Sequence, residues 1–235
     1  MPDALIGRVA AMPTALITGA AGGLGSTIAV ALAPTHTLLL AGRPSARLDA
    51  LTQHLGATAW PLDLADTDPA TAAARTIAEL DVLVHNAGVA FPDRLADSSV
   101  DDWRTTFEVN VIGEVALTQA LLPALRRAEG HVLFVNSGAG LNVLAGMASY
   151  SASKFAQRAF ADSLRAEEPA LRVTSVHPGR IDTEMQRRLR EFEGGPYEAS
   201  AYLPPETVAQ VIADVVAAPP AAHLHEVIVR PRVKN

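Results

Sequence analysis

The sequence predicts an α/β fold: a single doubly wound domain whose parallel, seven-stranded sheet carries helices on both faces. Two observations predict it. Short runs rich in Val, Leu and Ile alternate with longer Ala/Leu-rich stretches along nearly the whole chain. Those short runs are apolar at successive positions rather than at every second one, the pattern of strands buried on both faces. Strict β/α alternation then makes the sheet doubly wound, with ligands expected beyond the carboxyl ends of its strands.

The elements follow in order. ALITG (15–19) is the first strand, and a glycine cluster leads into a helix over 26–33. HTLLLAG (36–42) is the second strand, followed by a helix through 47–55. ATAWPLDL (57–64) reads as a third strand and turn, TAAARTIAEL (71–80) as a helix, and DVLVHNAG (81–88) as the fourth strand. One long helix is expected over 100–127, then a fifth strand, HVLFVNSG (131–138). A helix from Tyr150 to about Glu168 stops before Pro169; LRVTSVHPG (171–179) and EVIVRP (226–231) are the last two strands. Segment 184–206 breaks the rhythm with glycines, prolines and aromatics, as a substrate lid near the strand ends would. With no internal repeat and no linker, one domain over 1–235 is the expectation, residues 1–11 being a possible N-terminal extension before a natural start at Met12.

Composition narrows the function. There is no cysteine, which excludes disulfides, thiolate chemistry and cysteine-based zinc sites. A net charge of −6 argues against nucleic acid or an anionic membrane as the partner. The first residues lack a signal peptide's basic start and apolar stretch, and no apolar run approaches the ~18 residues of a membrane span. A soluble, cytoplasmic protein acting on a small molecule is expected.

TGAAGGLG, Thr18 to Gly25, joins the first strand to the first helix, with Gly19, Gly23 and Gly25 in G-x-x-x-G-x-G spacing around Leu24. Such a turn lets backbone approach a pyrophosphate, and the helix N-terminus favours its charge. Alone, the cluster could be a plain tight turn. The second strand ends in AGRPSAR, with no acid before Asp49 to hold a ribose 2′-hydroxyl. Arg43 instead offers a guanidinium fork suited to a 2′-phosphate, which points to NADP(H) over NAD(H). Asp63, next to Leu64 at the end of the third strand, could accept from the adenine amino group, or simply form the turn.

Further motifs complete a pattern: Asn86-Ala87-Gly88, Asn110, Ser137, Tyr150-Ser-Ala-Ser-Lys154, and Pro178-Gly179 with Thr183. With the glycine turn they resemble the short-chain dehydrogenase/reductase family, in order and over almost the whole chain. The resemblance implies a Rossmann fold and oxidoreductase activity on a carbonyl/alcohol pair. A phenol ordinarily keeps its proton to about pH 10, but Lys154, one helical turn after Tyr150, would favour the phenolate. Tyr150 would then be general acid or base, Ser137 the donor to the substrate oxygen, and Asn110 the holder of a water that links Lys154 to solvent. Lys154 and Tyr150 would also contact the nicotinamide ribose, Thr183 its carboxamide, and Asn86, Ala87, Gly88, Pro178 and Gly179 its pocket. The family motif starts with two asparagines where this chain has His85-Asn86, so His85 reads as a structural replacement. A homodimer or homotetramer is expected from the resemblance, through helices 100–127 and 150–168.

No metal is expected: His223 and His225 form an H-x-H pair without a third ligand in view. The arginines of QRRLR (186–190) read as the coat of a lid helix, and Val143, Leu144, Met147, Phe192 and Tyr202 as an apolar pocket wall. The small residues Ser151, Ala152 and Ser153 would leave room for nicotinamide and substrate. Two rivals stand beside the reductase. One is an NADP(H)-binding regulatory or sensor protein on the same fold; the other is an epimerase or dehydratase of the extended branch, for which the chain is short.

Overall fold

The computed structural model describes residues 12–232; the expected extension at 1–11 lies outside the described residues. Seven parallel strands form one sheet in the order β3-β2-β1-β4-β5-β6-β7. They are β1 (Thr14–Thr18), β2 (Thr37–Gly42), β3 (Thr58–Pro61), β4 (Val82–His85), β5 (His131–Val135), β6 (Arg172–Pro178) and β7 (Glu226–Val229). The chain winds outward from β1 to β3 and then returns to lay β4 on the other side of β1. Leu16 consequently pairs with Leu39 on one flank and Leu83 on the other. The reversal leaves a crevice above the carboxyl ends of β1 and β4.

Alternate residues of the central strands feed two cores. Ala15 and Ile17 of β1 pack with Ile28 and Leu32 of α1 (Gly23–Leu32) and Val208 and Ile212, which belong to a helix near the C-terminus. Leu16 and Leu83 face the opposite side, with Leu117 and Leu121 of a helix beyond β4 and Ala161 of the helix after β5. A fully buried leucine is worth about 1.5–3 kcal/mol, so both layers pin the strand ends that carry the polar residues.

The remaining helices are α2 (Ala46–Leu55), α3 (Thr67–Ala74), α4 (Val100–Phe107), α5 (Gly113–Ala128), α6 (Ala148–Glu167), α7 (Glu184–Phe192) and α8 (Pro205–Val216). Three differ from expectation. α3 starts earlier than residue 71, with Pro69 in its first turn, where an N–H is not needed, and it ends at Ala74. The long helix expected over 100–127 is two, α4 and α5, joined by a π-helical turn over Glu108–Ile112 that contains Asn110. A π-helical insertion uses the same residue types as the flanking α-helix, so EVNVI carries no compositional signal for it. Segment 184–206 is largely ordered: Thr183 caps α7 by accepting from the Gln186 N–H at 3.4 Å, and a short 3₁₀ turn covers Ala199–Ala201.

Candidate active site

The glycine turn closes the crevice at β1 and β4. Gly19 has φ +64°, a left-handed backbone, and a Cβ there would lie 2.8 Å from Ala87 Cα. A Cβ on Gly25 would stand 2.2 Å from the Gly19 carbonyl oxygen and 2.8 Å from Asn86 Nδ2. Thr18 braces the turn, its hydroxyl accepting from the Asn86 and Ala87 N–H groups, both at 3.0 Å. The Asn86 amide donates to the Thr18 and Gly19 carbonyls at 3.0 and 3.3 Å. Gly22 caps α1 without a side-chain hydrogen bond, so the helix presents bare amides to the crevice. Thr183 arrives from the far side, its methyl 3.4 Å from the position of a Cβ on Gly23. This cradle, closed to a side chain at Gly19 and Gly25, has the shape and the donors that a dinucleotide pyrophosphate needs.

A second group of residues gathers on the other side of the crevice. Tyr150 and Lys154 lie one turn apart on α6, with Lys154 Nζ 5.9 Å from the centre of the tyrosine ring. Ser137 follows β5 in extended backbone, and its hydroxyl accepts from the Ala139 N–H at 3.1 Å. Lys154 is buried and donates to the Val135 carbonyl at 3.0 Å and to Gln157 Oε1 at 3.2 Å. Asn110 reaches in from the π turn, accepting from the Val89 N–H at 2.8 Å and donating to the Val89 carbonyl at 2.9 Å. A Cβ on Gly88 would lie 3.3 Å from Asn110 Oδ1 and 4.0 Å from Lys154 Nζ. The geometry thus brings Tyr150, Lys154, Asn110 and Gly88 together from three separate elements and loops, with Ser137 two residues beyond Val135, whose carbonyl holds Lys154.

The other expected residues occupy more varied places. Arg43 is exposed, next to the last residue of β2. Asp63 accepts from the Ala65 N–H at 3.0 Å, the turn-forming alternative. Leu64 is buried, and its carbonyl oxygen comes so close to α5 that a Cβ on Gly113 would lie 2.3 Å away. Pro178 ends β6, and the Gly179 N–H donates to Val229 at 2.7 Å, tying the motif to β7. Ser151 and Ala152 line an open concavity with Val143 and Phe155, and the hydroxyls of Ser151 and Ser153 are both hydrogen-bonded. Ser151 accepts from the Leu144 N–H at 3.3 Å, while Ser153 donates to the Tyr150 carbonyl at 2.8 Å and accepts from Asn110 at 3.1 Å. The expected apolar wall divides: Val143 and Leu144 line an open concavity with Phe155, Phe192 packs over Gly146, and Tyr202 lines a different hollow with Asp182 and Arg187. In α7, Arg187 pairs with Asp182 at 3.1 Å and Arg190 with Glu193. His223 is engaged by the Val173 N–H at 2.8 Å. Among the described residues no cluster of three or more His, Cys, Asp or Glu is placed to hold a metal, and no helix is long and apolar enough to cross a membrane.

Sequence reasoning missed three buried polar side chains. Asn136 donates to the Lys154 carbonyl at 3.0 Å and accepts from the Ser137 N–H at 2.7 Å, joining strand end to helix. Glu114 and Gln157 meet behind Lys154, both Glu114 oxygens lying 2.8 Å from Gln157 Nε2. A signal existed: Glu114 falls on the apolar stripe Leu117-Leu121-Leu125 of α5, where an acid is out of place.

Burial pushes Glu114 up to about 8, opposed by the charge of Lys154 and the Gln157 hydrogen bond. His85 is driven down to about 3, first by burial and then by Lys154, and it stacks on Phe134 at 5.0 Å with Nε2 2.8 Å from the Thr118 hydroxyl. That is a neutral, structural ring, as expected of its replacing an asparagine. Burial likewise lowers His131 to about 3. Opposed pH limbs follow. The folded state keeps the Glu114 proton from 4.5 up to about 8 while the unfolded chain loses it, so stability falls as pH rises through that range. Below 6.5 the unfolded histidines take protons that folded His85 and His131 refuse, so stability falls as pH drops toward about 3. The slope is at most about 1.4 kcal/mol per pH unit for each group. The melting temperature should therefore peak near 6.5, where the two histidine limbs end. A melting curve that is flat from pH 5 to 8 would contradict these environments.

A glycine-lined crevice at the switch point, flanked by serine, tyrosine and lysine, defines an oxidoreductase fold. A family model described as short chain dehydrogenase matches residues 13–194. The Bos taurus "Dehydrogenase/reductase SDR family member 7B" is 38% identical over 201 residues, covering 77% of this chain and 62% of the relative's own length. Among solved structures, an alcohol dehydrogenase of Thermococcus sibiricus complexed with 5-hydroxy-NADP superposes with TM-score 0.83 at 26% identity, covering 95% of this chain and all of that one. A serine dehydrogenase complexed with NADP+ does so with TM-score 0.83 at 27% identity, covering 92% of this chain and 94% of that one. The chain belongs to the short-chain dehydrogenase/reductase family.

Proposed function

We propose that this protein is an NADP(H)-dependent oxidoreductase that interconverts a carbonyl compound and a primary or secondary alcohol. The observation that carries it is the pairing of Tyr150 and Lys154 one turn apart on α6, Lys154 bonded to the Val135 carbonyl at the end of β5 and Ser137 tied through Asn136 to the Lys154 carbonyl. The bound nicotinamide would supply or accept the hydride. Tyr150 gives its phenolic proton to the carbonyl oxygen in reduction and takes it back in oxidation. The Lys154 ammonium, held by Val135 and Gln157, favours the phenolate left behind. Ser137 donates a hydrogen bond to the same oxygen and fixes its angle. Asn110, already tied to Val89 and Ser153, keeps the π turn open at the lysine, where a water would connect the site to solvent. The exposed apolar side chains Leu95, Val143 and Phe155, beside α6, suit the homodimer or homotetramer of the reading.

Support for NADP(H) over NAD(H) comes from Arg43 beside the end of β2 and from the NADP named with the structural relatives. Arg43→Ala should raise the KM for NADPH by roughly 10- to 100-fold, the loss of one charge-assisted contact, with little change for NADH. Equal effects on both cofactors would refute the preference. A screen of NADPH oxidation over ketones, aldehydes and keto acids tests the activity. Tight NADPH binding without oxidation of any of them would favour the binding-only regulator.

A further inference from the structure

Behind Lys154, two polar rungs about one turn apart join α6 to the π turn and to α5. Asn110 donates to Ser153 at 3.1 Å, and one turn on Gln157 donates to both oxygens of Glu114 at 2.8 Å. Glu114 and Gln157 are fully buried, and the proposed proton transfer does not use either. An amide can present its oxygen or its NH₂ to a neighbour with almost the same shape. Here the carboxyl group accepts from the NH₂ end, which leaves Gln157 Oε1 facing Lys154 Nζ at 3.2 Å. The reversed amide would put donor against donor.

We propose that Glu114, acting through Gln157, is a positioning residue for Lys154 that both orients its hydrogen-bond acceptor and, by gaining or losing charge, sets the pH range of the reaction. This rests on the reductase reading above. On the reductase reading the Lys154 ammonium stabilises the negative charge that develops on Tyr150; a carboxylate beyond Gln157 cancels part of that positive field, and an uncharged carboxyl does not. The surroundings leave the pair to each other. From α6, Lys154 is the charge that faces Glu114. His85, at the end of β4, meets α5 through Thr118 and is neutral. From the turn after β3, Asp63 is exposed and bonded within its own turn, and Asp68 on α3 is exposed. Burial holds Glu114 near neutrality, so its charge changes within the working range.

Two measurements on the full chain decide it. In the first, the pH dependence of kcat/KM for alcohol oxidation is compared between wild type and Glu114→Gln, which keeps size and loses charge. The alkaline-rising limb should move to lower pH by about 0.5–1 unit in the variant, because nothing then opposes the phenolate. Superimposable profiles from a variant of native melting temperature would overturn the charge role while leaving Tyr150 chemistry intact. In the second, ¹³C-glutamate NMR follows the Glu114 carboxyl through a pH titration, with Glu114→Gln assigning the resonance and Lys154→Met removing the partner. The titration should move upward by about one unit in Lys154→Met. An unmoved midpoint would overturn the coupling. This second readout needs no turnover, so absence of activity in the wild type would defeat the reductase reading while the NMR still judges the link between Glu114 and Lys154.

Discussion

Tyr150→Phe should lower kcat for carbonyl reduction by roughly a thousandfold, within the range that general acid catalysis supplies. The substitution removes one oxygen and keeps the ring, which is only partly buried on α6. No hydrogen bond of the phenol to another described residue is lost with it, so the fold has little reason to change. NADPH affinity and melting temperature should therefore stay close to wild type, and KM should move much less than kcat. That split is informative. A general loss of stability would lower everything together, whereas a missing proton donor acts on the transition state alone. Reductase activity retained within tenfold would exclude Tyr150 as the acid.

Gly25→Ala should abolish measurable NADPH binding, raising Kd at least about a hundredfold, and should destabilise the protein by about 1–3 kcal/mol. The reason is backbone against backbone. The new methyl would stand 2.2 Å from the Gly19 oxygen and 2.9 Å from the Gly19 carbonyl carbon, neither of which can rotate away. Opening the turn would break the Asn86 bonds to Thr18 and Gly19 and withdraw α1 from the crevice. Gly22→Ala is the control, since its methyl would meet only the Gly19 oxygen at 3.2 Å. Fluorescence titration with NADPH and a thermal melt should separate the two variants. Equal binding by both would mean that the turn does not cradle the cofactor.

Much of this protein was legible before any coordinates. Strands such as HVLFV and ALIT announce themselves because burial on both faces demands unbroken apolar runs, and alternation with helices leaves few parallel topologies open. Local chemistry was equally readable at TGAAGGLG and YSASK, where the spacing itself brings backbone or side chains together. Reading failed where two distant segments decide the outcome. Nothing in the spacing of Ser151 and Ser153 announces that their hydroxyls meet Leu144, Tyr150 and Asn110. Of the apolar residues expected as one pocket wall, Val143 and Leu144 line one hollow and Tyr202 another, because chain order says nothing about which side of a loop a side chain takes.

The sequence by itself determined the fold class, the family and the inventory of reactive groups, since hydrophobic pattern and short fixed spacings are one-dimensional properties. Tertiary structure alone decided what stands behind those groups. It replaced a continuous helix by a π turn that aims Asn110 at Val89 and Ser153, and it set Glu114 of α5 against Gln157 of α6. Those residues are 43 positions apart in the chain. A buried carboxyl beside a lysine acquires its properties from desolvation and from the one charge that faces it, and both exist only once the helices have packed.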